Sequence, residues 1–136
     1  MLLETDMILA LIKPYDNHHN EALEFFEKYR GNIYLSPYTL IELDLLIKSK
    51  ILRISDPILF FKILKDILEY YGVSIIRCRI EHFVEALRLR NTYNLTYFDS
   101  LHAGTAIAEN VMIVSYDDTY RGIKGLSYRY PRDLLS

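Results

Sequence analysis

Short, almost purely apolar runs punctuate this chain. Between them lie longer stretches in which apolar residues return every three or four positions. The short runs read as strands buried on both faces, the longer ones as helices with one packed side. Leu2 to Thr5 predicts a short strand ending at Asp6, and the "MILALIK" that follows fits either more strand or a helix. Asn20 to Arg30 predicts a helix with Ala22, Leu23, Phe26 and Tyr29 inward, ended by Gly31. "NIYLS" is a second strand. Ser36 as cap and Pro37 in the first turn open a helix over Tyr38 to Lys50. In "SDPILFFKILKDILEYYG", Asp56 caps, Pro57 opens and Gly72 closes. Phe60, Phe61, Leu64, Ile67 and Leu68 form its packing face. "VSIIR" is a strand, Glu81 to Arg90 a helix with Phe83, Val84 and Leu87 inward, and Ser100 to Glu109 a helix rich in small residues. "VMIVS" reads as a buried strand and "LSYRY" as a last edge strand. Strands alternating with helices predict an α/β fold around a mainly parallel sheet.

Composition narrows the function classes. At 136 residues the chain predicts one domain with a sizeable core. Hydrophobic residues make up 51% and charged ones 25%, a balance ordinary for a water-soluble domain. The longest apolar run, Met7 to Ile12, is far short of the roughly 20 residues that span a bilayer. Acids precede that run where a secretory signal would be basic. Cys78 stands alone, which excludes a disulfide framework and a cysteine-based zinc motif, so a reduced cytoplasm is the expected setting. A net charge of −2 argues against general polyanion binding through a large basic patch. No Gly-rich phosphate loop, G-x-S-x-G or H-E-x-x-H is present.

Acids are the remaining candidates for chemistry. In parallel α/β sheets, sites form beyond the carboxyl ends of the strands. Asp6 follows the first predicted strand and Asp117 follows "VMIVS", so both are expected at that edge. Asp99 opens the small-residue helix and is expected there too. Glu42 has Tyr38, Thr39, Leu45 and Leu46 as its neighbours one turn away, none of them a cation. An acid on a partly apolar face calls for a distant compensating charge. Clustered carboxylates repel unless a cation or shared protons hold them together, and oxygen-only ligands suit Mg²⁺ or Mn²⁺. Taken singly, each residue also has a plain structural reading. Asp99 serves equally as a helix cap, Asp6 and Asp117 as turn residues, and Glu42 as a surface acid. Asp117 and Asp118 compete for one role. His102, three residues beyond Asp99, either reaches the acids or packs.

These residues resemble the PIN-domain family, in particular its VapC-type toxins. The resemblance is carried by "ETDMILALI", "SPYTLIEL", "YFDSLHAGTA" and "IVSYDDTY", in the family's order and across nearly the whole chain. It implies a three-layer α/β/α Rossmann-like fold and a Mg²⁺- or Mn²⁺-dependent endoribonuclease acting on single-stranded or structured RNA. It also implies a homodimer and a small antitoxin partner. Carried over by position, the site acids are Asp6, Glu42, Asp99 and Asp117. Family members often place Thr or Ser directly after the first acid, where Met7 follows Asp6 here. Setting the four acids aside leaves a mildly basic remainder, with Lys13, Arg121, Lys124, Arg129 and Arg132 as candidate phosphate contacts. Two alternatives stay open: a catalytically weak PIN-fold module that binds proteins, and another Mg²⁺-binding α/β domain.

Overall fold

The computed structural model describes all residues, Met1–Ser136. Five parallel strands form one sheet: β1 (Leu2–Leu3), β2 (Ile33–Leu35), β3 (Val73–Ile75), β4 (Ile113–Val114) and β5 (Tyr128–Arg129). Their spatial order is β3-β2-β1-β4-β5, which puts the first strand in the centre. Six α-helices connect them: α1 (Thr5–Ile12), α2 (His19–Lys28), α3 (Pro37–Lys48), α4 (Pro57–Tyr70), α5 (Ile80–Thr92) and α6 (Tyr97–Glu109). The expected α/β fold with a parallel sheet is therefore present.

Alternation along the strands divides the core between the two faces of the sheet. Leu3, Ile33, Leu35 and Val114 point to one face, against Met7 and Ile8 of α1, Phe25 and Phe26 of α2, and Leu64 and Leu68 of α4. Leu2, Ile113 and Tyr128 point to the other, against Leu89 of α5 and Ala103 and Ala106 of α6. Burial of each large apolar side chain contributes about 1.5–3 kcal/mol, so both layers are needed for stability.

Three local outcomes differ from the expectation, the smallest being on α2, where Phe25 is buried and Leu23, expected inward, is 38% exposed. The first strand ends at Leu3, and "MILALI" is helical, so α1 begins at Thr5 with Glu4 as its N-cap. Asp6 thus lies in the first turn of a helix and not at the end of a strand. The third difference concerns the face of α5. Its buried residues are His82, Ala86 and Leu89, while Phe83, Val84 and Leu87 are exposed. The cause is α6, whose small residues let α5 approach at backbone distance. A methyl group on Gly104 would lie 2.6 Å from the Ala86 nitrogen and 2.7 Å from the His82 oxygen. At so short a separation the facing residue must itself be small, and Ala86 is.

Candidate active site: a carboxylate cluster at the carboxyl edge of the sheet

Strand register builds the floor of the site. Leu3 pairs with Leu35 on one side and Val114 on the other. The next residue of each strand is Glu4, Ser36 or Ser115, so three polar residues stand in a row where the strands end. All are buried, with Glu4 at 6% exposure and both serines at 0%. Buried polar groups need partners, and here they partner the helices that start from the same edge.

Glu4 takes the position at the end of β1. Its Oε1 accepts from the Thr5 backbone N–H at 2.8 Å, and Ser115 Oγ lies 3.3 Å from its Oε2. Burial, then the nearby charges of Asp6, Glu42 and Asp99, push its carboxyl well above the ordinary carboxylate range. Asp6 reaches the same edge from the first turn of α1. Its Oδ2 accepts from Ser115 Oγ at 2.7 Å and from the Tyr116 backbone N–H at 2.8 Å. Its Oδ1 is buried and has no partner in the protein. Burial raises its pKa to about 6, against the lowering effect of those hydrogen bonds.

Glu42 comes in from α3 and is held more firmly. Thr5 Oγ1 donates to its Oε1 at 2.5 Å, and His102 Nε2 lies 2.9 Å from the same oxygen. Burial acts to raise the Glu42 pKa, but the bonds from His102 and Thr5 outweigh it and leave the group lowered. His102 is wholly buried, and its Nδ1 lies 3.0 Å from Ser36 Oγ. A neutral ring with its proton on Nε2 satisfies both contacts, the serine hydroxyl donating to Nδ1. Ser36, His102 and Glu42 thereby join β2, α6 and α3 in one chain of hydrogen bonds.

Asp99 occupies the first turn of α6 but does not cap it. The cap is Thr96, whose hydroxyl accepts from the Asp99 backbone N–H at 3.3 Å. The Asp99 carboxylate is left free to face the acids and accepts from Tyr120 Oη at 3.3 Å. Burial pushes the Tyr120 hydroxyl far up, so it stays protonated and acts as a donor. Asp117 behaves differently. It is exposed, and its Oδ1 accepts from the Thr119 N–H at 2.9 Å, capping the short 3₁₀ turn Asp118–Tyr120. The structure places Asp6, Glu42 and Asp99 around Glu4, close enough for their charges to act on it, whereas the Asp117 carboxylate is taken up by the Thr119 N–H.

Glu4 is the acid that sequence reasoning passed over. The signal was Thr5: the hydroxyl expected directly after the first acid is absent after Asp6 but present after Glu4. Its hydroxyl bonds Glu42 and also lies 3.0 Å from Thr39 Oγ1 and 3.3 Å from His102 Nε2. Two residues of strand length decided the assignment, because a strand ending at Leu3 and not at Thr5 moves the acid at the sheet edge back by two positions, from Asp6 to Glu4.

Electrostatically the cluster lacks a fixed counter-charge. No Lys or Arg comes within 4.0 Å of Glu4, Asp6, Glu42 or Asp99, and the ion-pair contacts they have are those of His102 to Glu4 and Glu42. One carboxylate oxygen each of Glu4 and Glu42 and a His102 ring nitrogen lie within 4.8 Å of one another; with the His102 proton engaged by Glu42, the carboxylates are the donors left to hold a metal ion. The unpartnered Asp6 oxygen adds a further hard donor. This oxygen-rich set fits a small divalent cation of the Mg²⁺ or Mn²⁺ type better than a soft metal.

The sequence matches the PIN domain family over residues 1–126. No curated protein matches it significantly. Among solved structures, VapBC2 from Rickettsia felis, bound to a DNA fragment from the promoter, superposes with a TM-score of 0.75 at 21% identity. The comparison covers 95% of this chain and 96% of that one. VapBC-1 from nontypeable Haemophilus influenzae gives 0.72 at 16% identity, covering 96% of this chain and 97% of that one. A toxin–antitoxin complex from Klebsiella pneumoniae gives 0.68 at 18% identity, covering 96% of each. With the family match over residues 1–126 running through Glu4, Asp6, Glu42, Asp99 and Asp117, and the same fold recurring in these structures, this chain belongs to the PIN-domain family.

Proposed function

We propose that this protein is a divalent-metal-dependent endoribonuclease that hydrolyses phosphodiesters of single-stranded RNA, and the toxin of a toxin–antitoxin pair. The observation that carries the reading is the set of carboxylates at one sheet edge with no Lys or Arg to balance them. Repulsion of that kind is relieved by a bound cation or by protons held on the carboxyls, and a cation leaves the acids ionised at neutral pH. A bound Mg²⁺ or Mn²⁺ would supply positive charge against the phosphate and make a bound water more acidic than bulk water.

The chain's own residues have separable roles in this reading. Glu4, Glu42 and Asp99 would hold the ion, and Asp6 would add its free oxygen while tying α1 to the loop after β4. Thr5 and His102 keep Glu42 ionised and pointed at the others. Asp117 stands at the rim and, through its turn, supports Tyr120 and hence Asp99. A small antitoxin and a second copy of the chain are the expected protein partners. Ile58, Leu59 and Ile63 of α4, exposed at 72%, 50% and 48%, supply apolar surface for such contacts.

Incubating single-stranded RNA with the purified protein tests the reading, in Mg²⁺ or Mn²⁺ and in excess chelator. Cleavage by the native protein, lost on chelation and in Glu42→Gln, is the expected result. Equal cleavage with chelator would sink the metal-dependent mechanism. Absence of cleavage, with a metal-induced rise in melting temperature retained, would favour the protein-binding module.

A further inference from the structure

Beside the acids stands a pair of residues that the hydrolytic chemistry does not use. Tyr97 opens α6 two residues before Asp99 and is 58% exposed. The Arg90 guanidinium, from the last turn of α5, lies 4.7 Å from the centre of that ring. Arg90 is held in place by its Nε, which donates to Ser100 Oγ at 2.6 Å. Ser100 Oγ in turn donates to the Tyr97 carbonyl oxygen at 2.7 Å. No carboxylate lies within 4.0 Å of Arg90, and its two terminal nitrogens make no hydrogen bond within the protein.

A second pair in the same chain shows what is distinctive here. Arg30 lies 4.0 Å from the ring centre of Tyr70, which is 60% exposed. That guanidinium is neutralised by Glu27 at 3.0 Å. Tyr70 also ends α4, just before β3 begins, and so sits at the opposite edge of the sheet from the acids. An arginine over an exposed tyrosine ring thus occurs twice, the pair of Arg121 with Tyr128 involving a buried ring; of the two exposed copies, the one at the acid edge has the uncompensated cation.

We propose that Tyr97 and Arg90 form a nucleotide subsite of the nuclease: a base of single-stranded RNA stacks on the open face of Tyr97, and the adjoining phosphate accepts from the Arg90 terminal nitrogens. The assignment rests on the endoribonuclease reading and names residues that hold its substrate. Polyanionic RNA must approach a cluster of carboxylates, and a cation already paired to protein acids gives it little help. Arg90 is unpaired, fixed by Ser100, and set at the positive end of α6. Stacking on Tyr97 is tolerant of base identity, because every base presents a π-face.

The chain contains no Trp, so a single introduced indole reports stacking directly. Tyr97→Trp and, separately, Tyr70→Trp are made in the Glu42→Gln background and titrated with a short oligoadenylate in Mg²⁺. Emission from the Tyr97→Trp protein should be quenched saturably, and emission from the Tyr70→Trp protein should not. In the same background, Tyr97→Leu should weaken oligonucleotide binding about 5- to 100-fold, while Tyr97→Phe stays within about twofold of Tyr97. Arg90→Gln should reduce the slope of log affinity against log salt by about 0.7, one single-strand phosphate contact. Native protein that cleaves RNA while Tyr97→Trp emission ignores bound oligonucleotide would overturn the subsite alone. So would Tyr97→Leu binding with unchanged affinity, or an emission change that follows protein concentration and not oligonucleotide, which assigns the patch to a protein contact. Native protein that neither binds nor cleaves RNA would overturn the endoribonuclease reading and the subsite with it.

Discussion

Thr96 and Asp99 separate two roles that a helix start ordinarily confuses. Thr96 accepts the backbone hydrogen bond, and the Asp99 carboxylate faces Glu4 and Tyr120. Thr96→Ala should therefore cost about 1 kcal/mol of stability, as loss of a cap does, with metal binding retained. Asp99→Asn should leave the metal-free protein as stable or more so, since it removes one charge from a crowded set, yet weaken Mn²⁺ binding and abolish cleavage. Denaturant melts with and without Mn²⁺ measure both effects. A drop in metal-free stability for Asp99→Asn, matching that of Thr96→Ala, would make Asp99 a structural residue only. Glu4 and Asp6 set the pH dependence at this scale. Both carboxyls are raised in the folded state, Asp6 from 3.8 to about 6. The folded protein then binds more protons than the unfolded chain between those values, so stability falls as pH rises through them. Glu42 has the opposite sign, its contribution being lost only as pH drops below its ordinary 4.5. The metal-free melting temperature should thus decline between about pH 4 and pH 7, and saturating Mg²⁺ should flatten the decline. A metal-free melting temperature that climbs across that range would contradict the burial of Glu4 and Asp6 as charged neighbours.

At the scale of elements, the site depends on how closely α5 and α6 pack. Gly104 faces Ala86 and His82 at backbone distance, and α6 carries both Asp99 and His102. Adding one methyl there forces the helices apart, and overpacking of this kind costs about 1–3 kcal/mol. Gly104→Ala should lower the denaturation midpoint by that amount and also weaken metal binding, because His102 and Glu42 meet across the α3–α6 seam. An alanine protein with unchanged midpoint would show that the helices yield freely. The buried bond from Tyr38 Oη to His82 Nδ1 at 2.8 Å, and that from His82 Nε2 to Glu109 at 2.8 Å, brace the same seam from α3. Helix packing, in this molecule, is what brings the acids of α3 and α6 to those of β1 and α1.

For the whole molecule, a cluster of like charges is a standing cost that a ligand can remove. Binding to the folded chain alone stabilises it by about 2.7 kcal/mol at a hundredfold excess over the dissociation constant. Native protein should show a Mn²⁺-dependent rise in melting temperature, much reduced in Glu4→Gln and in Glu42→Gln. Calorimetric scans across a Mn²⁺ series measure it, and identical shifts in all three proteins would place the ion elsewhere. A separate apolar cavity of about 360 Å³, lined by Leu11, Ile12, Leu52, Phe60 and Ile63 among others, lies toward the far end of α1 from Glu4. The acid edge and the apolar groove are thus different surfaces.

Much of this architecture was written in local patterns. Strong caps and breakers such as Ser36, Asp56, Pro57 and Gly72 lie where the helices begin and end, because the energy of a cap or a left-handed turn is local. The parallel sheet followed from apolar runs alternating with helical periods, and the expected place of Asp99 followed from that topology, while Glu42 stood out because no cation lies one turn away from it. What local patterns left undecided were the quantities set by contact between distant segments. "MILALIK" is compatible with strand and helix alike. Its helical state, which moves the edge acid to Glu4, comes from packing Met7, Ile8 and Leu11 against α2 and the sheet. The inward face of α5 was misread because its pattern favoured the larger side chains, whereas Gly104 on the opposing helix admits only Ala86. His102 was ambiguous until Ser36, on another strand, and Glu42, on another helix, met its two nitrogens. A sequence carries the energies of neighbours along the chain. Burial and close approach depend on neighbours in space, and here those decided which acids share one site.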